Sequence, residues 1–447
     1  MRVPEGVHDR LLEVSRPLLR LGCRRRSVFL VALSWILATR PLVRTGHPVA
    51  QRHRGDARIL VLPKVGGTED MLAAIDSGGA APGIALLEMP RDHVKHVFEA
   101  LIGPEFPTLQ DFHYRVGDPS VEAAKLRYRH FLGKVLRAYL RVTRVQAITS
   151  AVFNYRAERE LAAACTDVGV PFLAIHKESI RTPLQRPWFT KVYRDEVGPF
   201  LGHAAAVYNA DEKRSFTEAG VADVDRVRVI GCPRMDVLHA VRDRRPAKST
   251  PDAPVVLFSI DIRAGAWTPY DESGDVRPPC WEQLARLTEE AFVESALRHP
   301  ERPHLVKVKT GMESQQVSRL RTPLPGNLHV ITGGVGTDLL RSAAAVVGFN
   351  STALLEALAA GVPTIVPGFG EASHSGAEGW TFDLTDAADV AGSPEQLVDM
   401  VSQAILRPPS SVLSDGVLAA LERHTGNADG RSGERLLGLL REATLPR

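Results

Sequence analysis

Asn350, Ser351 and Thr352 stand between an apolar run at 344–349 and a leucine- and alanine-rich stretch that ends at Gly361, ahead of a second apolar run at 364–367. Side chains of this kind begin helices, and a helix start offers unpaired backbone N–H groups at the positive end of its dipole. That combination suits a phosphate. Glu356, the one charged residue between Asn350 and Pro363, follows a turn later, four residues after Thr352 and on the same helix face. A carboxylate in such apolar surroundings needs partners. The two hydroxyls of a ribose would supply them, and so would an Arg from another helix.

A second set of reactive groups lies earlier. His176, Lys177 and Glu178 directly follow the apolar run 171–175. His176 or Glu178 can take the proton from a hydroxyl, with Lys177 neutralising a phosphate; the alternative is a solvated polar loop. Arg234 follows a strand-like run and Pro233, which fixes the backbone direction. Its guanidinium suits bidentate contact with phosphate, or else it pairs with Asp236. Lys307 and Lys309 alternate along a strand-like run and share one face. With ten Lys against 45 Arg in the chain, two on one strand stand out. They line a phosphate-binding surface or a solvated edge. Arg263, with Asp261, follows the run 255–259, a usual place for a phosphate-contacting loop. Gly66 and Gly67 follow the run 58–63 and either let an acceptor approach closely or make an ordinary turn.

The elements that must position these groups alternate. Apolar runs at 58–63, 84–87, 145–149, 171–175, 204–208 and 227–230 read as strands, with helical stretches between them. Residues 242–254 are charged, contain proline and lack apolar period, which marks a linker. The alternation restarts with strands at 255–259, 304–308, 328–331, 344–349 and 364–367. The fold class is therefore α/β, two Rossmann-like domains in series, and the expectation is that they face each other across a cleft holding the site. The expected layout is a basic helical extension (1–57), a first Rossmann-like domain (58–241), a linker (242–254), a second Rossmann-like domain (255–410), and a helical segment (411–447) that packs back on the first domain.

Composition narrows the function. At 447 residues, 44% apolar and net charge +3, the chain is globular and too nearly neutral to imply nucleic acid as a partner. Four cysteines without CxxC spacing argue for reduced thiols and no zinc site. Asp223-Val224-Asp225 is a formal DxD, but it precedes a strand and reads as a solvated turn, so no metal is expected. Residues 1–60 hold twelve Arg against four acids, around an apolar segment at 28–38. That segment is too short to cross a bilayer, which takes about 20 residues. It is either an in-plane anchor on an anionic membrane surface or a helix packed on the body of the protein.

Three segments carry a resemblance. The unit at 343–367 is similar to the donor-binding segment of glycosyltransferases with the GT-B fold, where a Ser/Thr turn, a helix bearing Glu and a Gly-x-Pro turn recur. Ile230-Gly231-Cys232-Pro233-Arg234-Met235-Asp236 resembles the Gly-x-Pro-Arg-x-Asp turn of bacterial surface-carbohydrate biosynthesis proteins and of CDP-glycerol glycerophosphotransferases. Ile175-His176-Lys177-Glu178-Ser179 resembles a segment of the surface-carbohydrate group. The resemblance implies GT-B architecture, with 58–241 as the acceptor domain and 255–410 as the nucleotide-donor domain, Asn350, Ser351 and Thr352 on the donor's phosphates, Glu356 on its ribose, and Arg234 near the phosphates at a hinge. One large retaining group carries an acid eight residues before the glutamate; Gly348 stands there.

The expected activity is transfer of a sugar, or a related polyol phosphate, from a nucleotide-activated donor to a surface polysaccharide or lipid-linked glycan, without a cofactor. Such a protein would work in the cytoplasm, peripheral at the inner face of the plasma membrane. A non-hydrolysing nucleotide-sugar epimerase and a non-catalytic nucleotide-binding assembly factor are the alternatives.

Overall fold

A computed structural model describes residues 5–42, 56–77, 83–115, 117–244, 250–264, 279–309, 311–320, 323–334, 336–407 and 410–445. The chain divides into two compact units, Met1–Ile180 with Pro187–Arg234 and Arg431–Arg447, and Arg181–Arg186 with Met235–Gly430.

The first unit is built on strands β1 (Arg40–Pro41), β2 (Ala57–Leu62), β3 (Ile84–Glu88), β4 (Ala147–Ser150), β5 (Phe172–Ile175), β6 (Ala204–Val207) and β7 (Val227–Val229). They pair in the order β1-β3-β2-β4-β5-β6-β7, all parallel except β1, which runs antiparallel to β3. A parallel sheet is covered on both faces, so its strands are apolar throughout rather than alternating. Successive side chains then feed two cores. Leu60 and Leu62 join Ile148, Phe172 and Val207 on one face, while Ile59 and Val61 join Leu173, Ile175 and Ala206 on the other.

The first of these faces is covered partly by the N-terminal extension. Its helices Glu5–Arg24 and Val28–Ala38 belong to this unit, and β1 extends its sheet. Trp35 is 1% exposed and meets Tyr139 edge to face at 6.1 Å. Of the two readings of this segment, the packed helix describes its inner face: lifting it whole into a lipid surface would open the core, at about 3–5 kcal/mol for the tryptophan alone. The other face is closed by the helices Gly67–Ser77 and Ser432–Thr444, whose Leu436, Leu437 and Leu440 enter its core. Of the expected C-terminal segment, only this last helix lies on the first unit. Asp415–Thr425 belongs to the second.

The second unit holds β8 (Val255–Phe258), β9 (His304–Lys307), β10 (Leu328–Ile331), β11 (Ala345–Val347), β12 (Thr364–Pro367) and β13 (Asp389–Ala391), all parallel, in the order β10-β9-β8-β11-β12-β13. Both units are thus α/β parallel-sheet domains of the Rossmann kind. The units divide between Arg234 and Met235, ahead of the expected linker, because the helix Asp236–Asp243 packs on the helix Thr352–Ala359 of the second unit. Within that linker, 245–249 lie outside the described residues.

Candidate functional site

In an open parallel sheet, ligands bind beyond the carboxyl ends of the strands, where the strand order reverses. In the second unit the reversal falls between β8 and β11, which are neighbours although β8 continues outward to β9 and β11 to β12. The loops there hold Asp261 and Arg263 after β8, and Asn350, Ser351 and Thr352 after β11.

Asn350 sits at φ +46°, in the left-handed region that Asn tolerates better than most residues. That backbone turns the chain sharply from β11 into the helix Thr352–Ala359. The Asn350 side chain is engaged: its Nδ2 donates to Trp380 O at 2.9 Å, and Phe382 N donates to its Oδ1 at 3.2 Å. The expectation that its amide faces a phosphate is corrected, since both ends of that amide hold the 380–382 loop. Ser351 is the N-cap and accepts from Ala353 N at 3.3 Å. Thr352 is exposed, and the Ser351 and Thr352 amides have no acceptor among the described residues. Glu356 is half-buried on the same helix and makes contacts of its own within the protein.

Asp261 organises the β8 loop, accepting from Arg263 N at 3.0 Å and from Lys309 Nζ at 3.2 Å. Arg263 is exposed. Lys307 is buried and donates to Val308 O at 2.9 Å, so it lines no ligand surface. The expected pairing of Lys307 and Lys309 on one strand face fails because β9 ends at Lys307.

In the first unit the order reverses between β2 and β4. The β2 loop runs Lys64-Val65-Gly66-Gly67 into the helix Gly67–Ser77. Gly66 lies at φ +86° and its N–H donates to Glu69 Oε2 at 2.5 Å. A side chain at Gly67 would collide with Ala151, its Cβ only 2.5 Å from that of Ala151, so glycine lets the loop lie against the end of β4. Lys177 N donates to Ala151 O at 3.0 Å and ties the β5 loop to the same place.

His176 is 1% exposed. Its ring packs against Phe153, Tyr193 and Phe216, and Nε2 lies 3.2 Å from Glu212 Oε1, which also accepts from the Tyr193 hydroxyl at 3.1 Å. A ring enclosed in this way meets no acceptor hydroxyl, which corrects its expected role as the base. Glu178 stays accessible, its side chain 38% exposed, with Lys177 Nζ 3.2 Å from Oε1.

Arg234 is anchored by Asp70. Its guanidinium and its backbone N–H bind Asp70, Nη1 3.2 Å from Oδ1, and it stacks over Tyr208 with Cζ 5.4 Å from the ring centre. Burial raises the Asp70 carboxyl above its ordinary range, against the pull of Arg234 and of the Tyr208 hydroxyl. From the place of a Gly66 Cβ, Lys177 Cδ is 3.1 Å away and Arg234 Nη1 3.9 Å. Gly66, Lys177 and Arg234 therefore come together.

No protein-family model matches this chain, and no curated protein matches it. Solved structures do. The chain is similar to a UDP-GlcNAc 2-epimerase from Neisseria meningitidis bound to UDP-GlcNAc, at 12% identity, with 86% of this chain and 100% of that one covered and a TM-score of 0.46. It is similar to the glycotransferase of kitacinnamycin at 15% identity, covering 88% and 100%, with a TM-score of 0.45. To the α,α-trehalose 6-phosphate synthase of Burkholderia multivorans the figures are 14%, 87%, 97% and 0.41.

Three residues at the first unit's edge escaped the reading of the sequence. Lys64 Nζ lies 4.6 Å from the ring centre of Tyr155, and Arg91 Cζ lies 3.8 Å from it. Arg91 is held by buried Glu158. No motif marks them. The available signal was position: Lys64, Arg91 and Tyr155 each come within a few residues of a strand's carboxyl end.

Proposed function

We propose that this protein is a nucleotide-sugar-dependent glycosyltransferase, or a related polyol-phosphate transferase, acting on a polysaccharide or lipid-linked acceptor. The observation that carries the reading is the turn at Ser351 and Thr352, where unpaired amides and an exposed hydroxyl open the helix Thr352–Ala359 at the point where the strand order reverses. There the donor's phosphates bind, with Arg263 and Lys309 beside the β8 loop as further ligands and Glu356 on the ribose. Glu178 is the base on the acceptor hydroxyl, and Lys177 and Arg234 are proposed phosphate ligands of the first unit.

Binding is tested by thermal unfolding with UDP, CDP, CMP, GDP and dTDP in turn. The matching nucleotide at 100 times its dissociation constant stabilises by about 2.7 kcal/mol. Glu356→Ala and Thr352→Val are expected to reduce that shift. Glu178→Gln is expected to keep it while transfer falls by about 100-fold or more. A chain that no nucleotide stabilises ends this reading. A carboxylate base beside a sugar nucleotide also suits an epimerase, and incubation with donor alone separates the two: an epimerase converts it, whereas a transferase waits for an acceptor. An anionic membrane surface is a further proposed partner, through the exposed side of the two N-terminal helices.

A further inference from the structure

Lys64 follows β2, Arg91 follows β3, Tyr155 follows β4 and Lys177 follows β5, so neighbouring strands in the order β3-β2-β4-β5 deliver polar groups to one edge of the first unit. Lys64 and Arg91 both lie over the Tyr155 ring, and Gly66 brings the Lys64 loop against the Lys177 stem. Arg91 is neutralised by Glu158 and Lys177 faces Glu178. Lys64 makes no ion pair among the described residues, although Glu178 and Glu158 act on it electrostatically. Tyr155 is 8% exposed, and its hydroxyl oxygen has no hydrogen-bond partner among them.

Three cations set against two carboxylates, one of the cations without an ion pair, and a buried phenol without an acceptor have one requirement in common. An oxyanion placed among them relieves the like-charge repulsion and accepts the phenol's hydrogen bond. The proton affinity of Lys64 points the same way. Burial lowers its pKa from the ordinary lysine value, and Lys177 and Arg91 lower it further, against the opposing pull of Glu178 and Glu158.

We propose that this edge binds a phosphoryl or diphosphoryl group of the acceptor, held by Lys64, Lys177, Arg91 and the Tyr155 hydroxyl. The inference rests on the reading that the first unit receives the acceptor. An ammonium, a guanidinium and a phenol can be engaged together by an anion with several acceptor oxygens and more than one charge, which favours phosphate over a sugar carboxylate. A free phosphate ester and a lipid-linked diphosphate present the same chemistry.

Titration calorimetry of the full chain with inorganic pyrophosphate tests this. Binding is expected to weaken about tenfold in Lys64→Gln and in Tyr155→Phe, and to be largely kept in Lys64→Arg. Tyr155→Phe removes only a hydroxyl without a partner, so its folding serves as the check on the others. Pyrophosphate held equally well by wild type and Lys64→Gln overturns the proposal. So does a loss seen in Thr352→Val alone, which puts the anion on the second unit's turn. Glucuronate bound as tightly as pyrophosphate overturns the phosphoryl class. A short isoprenyl diphosphate that binds more tightly than pyrophosphate, with the same dependence on Lys64, assigns the lipid-linked source; equal affinity assigns the free ester. Nucleotide binding is measured on the same Lys64→Gln protein and is expected to be unchanged, so failure of this inference is distinct from failure of the nucleotide reading.

Discussion

His176 and Glu178 stand two residues apart beyond β5 but meet different chemistry. The histidine ring fills a space between three aromatic rings, with Glu212 and the Tyr193 hydroxyl at its Nε2. Removing it leaves a cavity and strips a buried carboxylate of a neighbour, so His176→Ala is expected to lower stability by about 2–4 kcal/mol, in the range of large-to-small core changes. The folded fraction should still transfer. Glu178→Gln is expected to do the reverse, leaving the denaturant midpoint near wild type and removing turnover. Midpoint and rate measured on both variants decide the matter: a stable, inactive His176→Ala protein would return the base to the histidine. The local sequence could not separate the two residues, because the groups that bury His176 arrive from Phe153, Tyr193, Glu212 and Phe216, on other elements. Arg234 makes the same point. Asp236 is two residues away, but the carboxylate that holds it is Asp70, 164 positions distant.

At the scale of elements, buried strands were legible because a parallel sheet demands continuous apolar runs, and β5 and β8 fall where such runs occur. β1 and β13 were not, being two and three residues long, one with a proline and the other opening on Asp389. The N-terminal helices illustrate a different limit. The apolar segment Val28–Ala38 buries Val31, Ala32, Ser34, Trp35 and Ala38. Its composition does not say whether lipid or protein covers it. Phe29 remains 70% exposed, beside exposed Arg24, Arg25 and Arg26, and Val7, Val14 and Leu21 recur every seven residues on the outer side of Glu5–Arg24. An apolar strip bordered by arginine matches an anionic lipid surface without any need to unpack the core. The protein is expected to sediment with vesicles containing phosphatidylserine. Phe29→Ser should weaken this severalfold, and each of Arg24→Gln to Arg26→Gln should cost about 1 kcal/mol at low salt. Retention that ignores both salt and Phe29→Ser would remove the membrane from the list of partners. Among the described residues no helix is long and apolar enough to cross a bilayer.

At the scale of the whole molecule, each unit carries a buried histidine that acid should charge. In the first, His93 binds Ser15 Oγ at 2.9 Å and so joins the helix Arg91–Leu101 to the N-terminal helix. In the second, His304 lies between Ser295 Oγ and Arg302 O, each 3.1 Å from a ring nitrogen, with Phe292 against its ring. Burial brings both from 6.5 down to about 4. Between those values the unfolded chain binds protons that the folded one does not, so stability rises with pH and is lost as pH falls from 6.5 towards 4. At about 1.4 kcal/mol per pKa unit, each histidine can remove on the order of 3 kcal/mol. The buried acids Asp70, Glu158 and Glu289 are shifted upward by burial and work in the opposite direction, so the net loss is smaller than the two histidines alone would give. Glutamine keeps a hydrogen bond at either site but does not titrate. Denaturant midpoints of wild type, His93→Gln and His304→Gln, taken from pH 7.5 to 4.5, are therefore expected to fall steeply in wild type and less steeply in each variant. Two units with separate cores can unfold in separate steps. The His93 change should then flatten the step followed by Trp35 fluorescence, and the His304 change the step followed by Trp281. Variants whose midpoints fall as steeply as wild type would show that neither ring is held neutral by the cores that surround it.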